Sequence, residues 1–296
     1  MKVQESWSLQ SLITHAYHRT KDRLWSYIGV ELGLFLAFIG IIAVVTITVI
    51  PLLMTNNSSL IIALLIPISI IAIAILAYVM TWFQLVMVDV IINKANHGVK
   101  ASFASMKHHV IDFFKYNILA TIFMIGLFPF GIFTFFAIMI LWLFWSSFSA
   151  FIFLEQKKRG LEVLWASKVM ISQKFWEIAL RFVAVTGIIW MISYILSSSN
   201  NAGLHLILFI FDILIAPFML SYSYEIYKQL DEPKKISEPK LWVGLSVIGW
   251  ILILAIGLYG INGLSHMNFD GIRKGFEKEM PKYPASEVLR LLGPKS

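Results

Sequence analysis

Hydrophobic residues gather in seven long runs, at roughly 25 to 50, 60 to 90, 114 to 129, 132 to 154, 176 to 196, 204 to 227 and 241 to 262. A helix rises about 1.5 Å per residue and the hydrocarbon layer of a bilayer is about 30 Å thick, so about 20 apolar residues cross it. Each run is close to that length, and the pattern predicts seven helical spans. The third and fourth are the least separated. Pro129-Phe130-Gly131 breaks one continuous apolar stretch there, so the chain turns back within a very short loop or forms a re-entrant pair. Two spans are the expectation.

Mixed polar and apolar segments precede three pairs of these runs. In the first, Leu9, Leu12, Ile13, Ala16, Tyr17 and Leu24 share one helical face, opposite Gln10, His15, His18, Arg19 and Asp22. That is the pattern of a helix lying in a membrane interface. The second, with Val99, Phe103, Met106, Val110 and Phe113, keeps the spacing; the third, with Leu161, Leu164, Trp165 and Ile171, is interrupted by Lys168. Each leads into an aromatic and basic cluster: Lys21-Asp22-Arg23-Leu24-Trp25, Asp112-Phe113-Phe114-Lys115-Tyr116, and Gln173-Lys174-Phe175-Trp176. A unit of interfacial helix plus helix pair, used three times, would account for six spans. The competing explanation is that loops before a span collect Lys and Trp at headgroup level in any case.

The predicted fold class is therefore all-α, a polytopic transmembrane helical bundle of about seven spans built from repeats of an interfacial helix plus a helix pair. Residues 1–24 are assigned to a cytoplasmic amphipathic interfacial helix. Residues 25–228 form a six-span bundle with further interfacial helices near 100–115 and 160–175. A cytoplasmic linker at 229–240, a seventh span at 241–262 and an external tail at 263–296 complete the plan.

Charge assigns the sides. Lys2, Arg19, Lys21 and Arg23 precede the first span, and Lys94, Lys100, Lys107 and Lys115 lie between the second and third. Lys157, Lys158, Arg159, Lys168 and Lys174 precede the fifth, and Lys228, Lys234, Lys235 and Lys240 the seventh. The alternate connections, Thr55 to Ser59, Phe130 to Gly131 and Ser197 to Gly203, carry no charge. Basic loops stay cytoplasmic, so the N-terminus is expected inside and the tail outside, in the cell membrane. The tail is the weakest part of that assignment, because it holds six cations partly offset by Asp270, Glu277, Glu279 and Glu287.

Composition agrees: 58% of residues are hydrophobic and 14% charged, against about a quarter charged in soluble domains. The net charge of +7 lies in short segments between apolar runs, not on one folded face, which argues for anionic lipid headgroups and against nucleic acid. The chain has no cysteine, so disulfides, thiolate nucleophiles and Cys-ligated metal sites are excluded. The polar start, Met1 to Arg23, is unlike a cleaved signal peptide, and the first span is expected to direct its own insertion.

The run Gly160-Leu161-Glu162-Val163-Leu164-Trp165-Ala166-Ser167-Lys168, after Trp145-Ser146-Ser147-Phe148 and Glu155-Gln156-Lys157-Lys158, resembles prokaryotic membrane proteins akin to the glycerophosphoryl diester phosphodiesterase membrane domain. The resemblance spans residues 5 to 230. It implies a six-helix membrane module made of helix-pair repeats. The hydrolase domain of the namesake proteins has no counterpart in a soluble stretch here, so their activity is not carried over, and the seventh span and tail depart from the module.

Chemistry-bearing constellations are sparse. His108 and Asp112 stand four apart with His97 and His109 nearby, a spacing compatible with metal or, more simply, with a wet helix face. His15 and His18 raise the same two options. Gly244-Leu245-Ser246-Val247-Ile248-Gly249 is one residue too long for a nucleophile elbow and sits in an apolar run. No nucleotide, zinc-protease or other cofactor motif occurs, so neither enzyme nor cofactor is expected. Asn56 and Asn57 each open an N-x-S triplet too close to the bilayer for glycosylation. Most tryptophans fall near span ends, as belt residues do.

Two features are kept as candidate sites. Asp212 is the one deeply placed acid, so it is expected to face the bundle, protonated or partnered, with Pro217 freeing a carbonyl nearby. Gly29, Gly33 and Ala37 repeat every four residues and predict close helix packing, within the chain or in a homodimer. The functional expectation is a non-enzymatic membrane module that organises partner proteins or lipids. The alternative is a transporter or exporter of a small amphiphile using a pocket near Asp212.

Overall fold

The computed structural model describes residues 8–53, 58–93, 98–134, 137–198, 201–232 and 240–265, which form helices and no strand. In chain order these are α1 (Leu9–Asp22), α2 (Leu24–Leu53), α3 (Ser58–Ile92), α4 (Val99–Met106), α5 (Val110–Phe133), α6 (Ala137–Ser146), α7 (Ser149–Glu155), α8 (Glu162–Ser172), α9 (Phe175–Ser197), α10 (Ala202–Lys228) and α11 (Lys240–Ser265). Seven stretches are long and apolar enough to cross a membrane: Leu24–Ile50, Ala63–Ile92, Val110–Ile132, Ala137–Glu155, Phe175–Ser197, Gly203–Lys228 and Lys240–Tyr259. They match the seven apolar runs, and the all-α multi-span architecture fits a multi-pass membrane protein. Asn56 and Asn57, His97, residues 233–239 of the linker and the tail beyond Ser265 lie outside the described residues.

Local chemistry sets the ends. Ser8 caps α1, its hydroxyl accepting from Ser11 N–H at 3.1 Å, and Asn201 caps α10 by accepting from Gly203 N–H at 2.8 Å; both satisfy otherwise unpaired first-turn donors. After α7 the chain turns at Lys157 and Gly160, with φ of 54° and 55°. Gly160 suits the left-handed conformation, whereas Lys157 carries its steric cost.

Two expectations need correction. Pro129 and Gly131 do not form the turn between the third and fourth spans: α5 runs through both to Phe133, and its end is marked by Thr134, whose N–H bonds back to Phe130 O at 3.1 Å. A proline in the last turns removes one hydrogen bond, which lipid-like packing and the nearby helix end tolerate. The fourth span is instead interrupted further on, where Ser147 and Phe148 separate α6 from α7. The segment near 160–175 is no one-faced interfacial helix either. In α8, Val163 to Ser167, Met170 and Ile171 are all buried, so protein encloses it on more than one side.

The seventh span is integral to the bundle. α11 lies along α5 at backbone contact distance: a Cβ on Gly249 would overlap the Gly126 carbonyl oxygen. Ser246 Oγ donates to Phe123 O at 3.0 Å and Trp250 Nε1 to Ile122 O at 2.9 Å across the same seam. Small residues allow the approach, and the polar bonds then form between helices. The α8 residue Lys168 sits over the Trp145 ring at 5.0 Å and the Trp242 ring at 5.5 Å, tying α6, α8 and α11 together. Burial lowers its ammonium below the ordinary lysine value.

The core lies at one end of the long helices, the end where α1, α7 and α8 gather. Phe113, Phe148, Phe151 and Phe153 are fully buried there with Tyr27, Leu85 and Tyr222. Phe113 and Phe153 rings lie 4.8 Å apart and Phe151 and Tyr227 stack at 5.4 Å, distances at which aromatic pairs add to burial.

Candidate functional site

Helix periodicity separates the two intramembrane residues singled out from the sequence. Asp212 is exposed on α10, and Pro217, five positions on, is buried inside the same unbroken helix. The expectation that Asp212 faces the bundle is therefore corrected. Phe211, Leu214, Ile215 and Phe218 take the face turned toward α1 and α9, and a step of 100° per residue carries Asp212 off that face. Gly29, Gly33 and Ala37 serve packing within the chain. A Cβ on Gly29 would meet Val99 of α4 at 3.3 Å, and one on Gly33 would meet the Phe83 ring of α3 at 3.2 Å. Ala37 borders a groove between α2 and α3. Asp112 lies 3.9 Å from both Lys115 and Arg159, and the described residues contain no cluster of three metal-ligating side chains.

The structure instead brings together a polar network that joins α1 to the ends of α3, α7 and α10. Arg19 Nε donates to Glu225 Oε1 at 2.7 Å, its Nη2 lies 2.6 Å from the same oxygen, and its Nη1 donates to Ile91 O at 2.9 Å. The guanidinium also stands 4.7 Å from the centre of the Tyr224 ring. Arg23 donates to the carbonyls of Val90 and Ile91. These oxygens belong to the last turn of α3, which has no intrahelical donor, and cations there meet the negative end of the helix dipole. Burial lowers the Arg23 guanidinium below its ordinary value, with Tyr27 opposing and Arg19 adding to the effect. Lys228 approaches Glu225 Oε2 at 3.7 Å. Tyr224 donates to Glu155 Oε1 at 2.8 Å, and Gln156 Nε2 to the Tyr227 hydroxyl at 3.3 Å.

Glu225 has 7% of its side chain exposed, a burial that its place near a span end does not announce. The available signal was the run Ser221-Tyr222-Ser223-Tyr224-Glu225-Ile226-Tyr227, in which six of seven positions carry a hydroxyl or carboxyl group in an otherwise apolar helix. Such groups are buried only when partners satisfy them. Together these contacts fix α1 against the ends of α3, α7 and α10.

Beside it, α1, α9 and α10 enclose a groove of about 460 Å³. Its walls are Ile13, Val185, Ile189, Leu214, Phe218 and similar side chains, and its polar border is Tyr17, Thr20 and Lys21 of α1. The size lies within the range of about 300–1,000 Å³ usual for ligand clefts. No family model matches the chain, and no curated protein or solved structure matches it.

Proposed function

We propose that this chain is a multi-pass module of the cell membrane that organises lipids and partner proteins and catalyses no reaction of its own, with α1 and the polar network on the cytoplasmic side. The observation that carries the reading is the groove under α1, an apolar slot of about 460 Å³ bordered by a cation, which is the shape and charge of a lipid site at a membrane interface. The positive-inside distribution of Lys and Arg supports the orientation. The order of a short helix before a long pair, α1 before α2 and α3, α4 before α5 and α6–α7, α8 before α9 and α10, supports a threefold repeat and with it the likeness to the six-helix membrane module. Transport of a small amphiphile is the competing reading, but Asp212, its best residue, does not line the groove.

Mass spectrometry of the chain purified from its native membrane in mild detergent tests the function. A lipid or membrane protein held at near one per chain is the expected result; vectorial flux of a solute across proteoliposomes, without such a companion, overturns it. Reporters fused after Ser58 and Asn200 should behave as external and those after Lys158 and Lys235 as cytoplasmic. An external reporter at Lys158 reverses the orientation.

A further inference from the structure

We infer that the groove between α1, α9 and α10 takes one acyl chain of an anionic phospholipid, with the Lys21 ammonium on its phosphate. The inference rests on the membrane-module reading and names the ligand of its groove. The walls offer an occupant almost nothing but hydrocarbon. Thr20, the innermost hydroxyl on the α1 side, donates to Ala16 O at 2.8 Å and so has no proton to offer. Water there would lack the two to four polar partners that hold it in a cavity. An extended hydrocarbon chain matches the walls.

The charge of the headgroup follows from the border. Lys21 is the charged residue among the described lining residues, it is exposed, and it makes no ion pair among the described residues. The nearby arginines are already engaged: Arg19 of α1 with Glu225 and Arg23, just past the end of α1, with the carbonyls at the end of α3. Asp22 is next in the chain and exposed, but it does not line the groove. A lysine whose stem lies along apolar walls while its ammonium reaches outward is the usual arrangement at the headgroup level. Two other grooves provide an internal contrast. The one between α2 and α3 and the one between α3 and α5 are lined by no charged residue among those described, so neither has means to prefer one headgroup over another.

The test places the full chain in phosphatidylcholine nanodiscs doped with chain-spin-labelled phosphatidylglycerol or phosphatidylcholine and follows the motionally restricted label by electron paramagnetic resonance. One slowly exchanging lipid per chain is expected, favouring phosphatidylglycerol by about fivefold, the effect of one lysine near a membrane surface. Lys21→Gln should bring that ratio close to one. Ile189→Trp should remove the slow lipid by filling the groove, with Val185→Phe as a milder filling if the tryptophan variant fails to fold. Val44→Trp, in the α2–α3 groove, should leave the slow lipid in place. Survival of the slow lipid in a folded groove-filled variant, or of the headgroup preference in Lys21→Gln, overturns the site and assigns the lipid to the general annulus. A protein companion retained by the groove-filled variant would leave the module reading standing while the lipid site falls; loss of headgroup preference with Lys21→Gln in a chain that proves to be a transporter would do the reverse.

Discussion

In α3, none of the residues from Ala63 to Met80 is buried, whereas eight of the eleven from Thr81 to Ile91 are. α10 repeats the contrast: every residue from Ser221 to Tyr227 is buried and none from Leu204 to Ala216 is. Each contrast falls within one stretch long and apolar enough to cross a bilayer, Ala63–Ile92 and Gly203–Lys228, so span length does not distinguish the two ends. What does is the content of the surrounding volume. At the α1 end, short helices and tyrosines fill the space between the long helices; at the far end, the helices present Ile and Leu outward. In the proposed membrane setting, lipid tails solvate that far half as well as protein would, and little free energy is gained by closing it. Stability and fixed geometry reside in the α1 end.

Substitutions should therefore divide by end. The largest effect is expected in the aromatic core: Phe113→Ala should cost about 3–5 kcal/mol, while Ile70→Ala, exposed on the open half of α3, should stay within about 0.5 kcal/mol. Denaturant titration in detergent, followed by tryptophan fluorescence, measures both, and equal losses would erase the distinction between the ends. Next, Arg19→Met leaves Glu225 buried with only Lys228 nearby, and should cost about 3 kcal/mol. Arg19→Met with Glu225→Gln should recover much of it, and simple additivity of the two would mean that the pair is not coupled.

Gly249→Ala is the exception that sharpens the comparison, because it lies away from the α1 end yet in the α5–α11 seam. Overpacking there should cost about 1–3 kcal/mol, whereas Gly257→Ala on the same helix, where a Cβ meets nothing within 4 Å, should not destabilise. Thermal melts of the two variants decide the point. Asp212→Leu should leave the fold intact or stabilise it, since an exposed acid in an apolar helix opposes lipid contact. A collapse in stability or assembly in native membranes would show that a partner covers that face. The smallest effect concerns Lys168. Its folded pKa lies below the ordinary value of 10.5, so the unfolded chain binds more protons between the two and stability rises with pH in that window. The gap between the wild type and Lys168→Met should therefore shift in favour of the wild type as pH rises toward 10.5, by a small amount because the side chain is only partly buried and solvent screens it. A gap that stays constant would place the ammonium in water.

The seven spans were legible because each is a local property: about twenty apolar residues have one low-energy fate, and the bounds at Leu24, Phe175 and Lys240 fall within a residue or two of where hydropathy changes. The turn after α5 was misread at Pro129 because a proline's effect depends on what replaces its lost hydrogen bond, which neighbouring structure supplies. The polar network was missed because Arg19 and Glu225 are 206 positions apart, and nothing in either segment announces the other. Asp212 was assigned inward from its solvation cost alone, a quantity that fixes how strongly a partner is wanted and not where α1 and α9 leave room for one.

By itself, then, the sequence determined the number of apolar spans, their approximate length and the alternation of basic and uncharged connections, since these depend on residues adjacent in the chain. Tertiary structure alone decided which face of α10 is covered, that α8 is enclosed, that α11 docks through Gly126 and Gly249, and that a groove opens beneath α1. Each of those is a packing outcome between segments far apart in sequence, and helix periodicity offers several faces of similar hydrophobicity until shape and buried charge select among them.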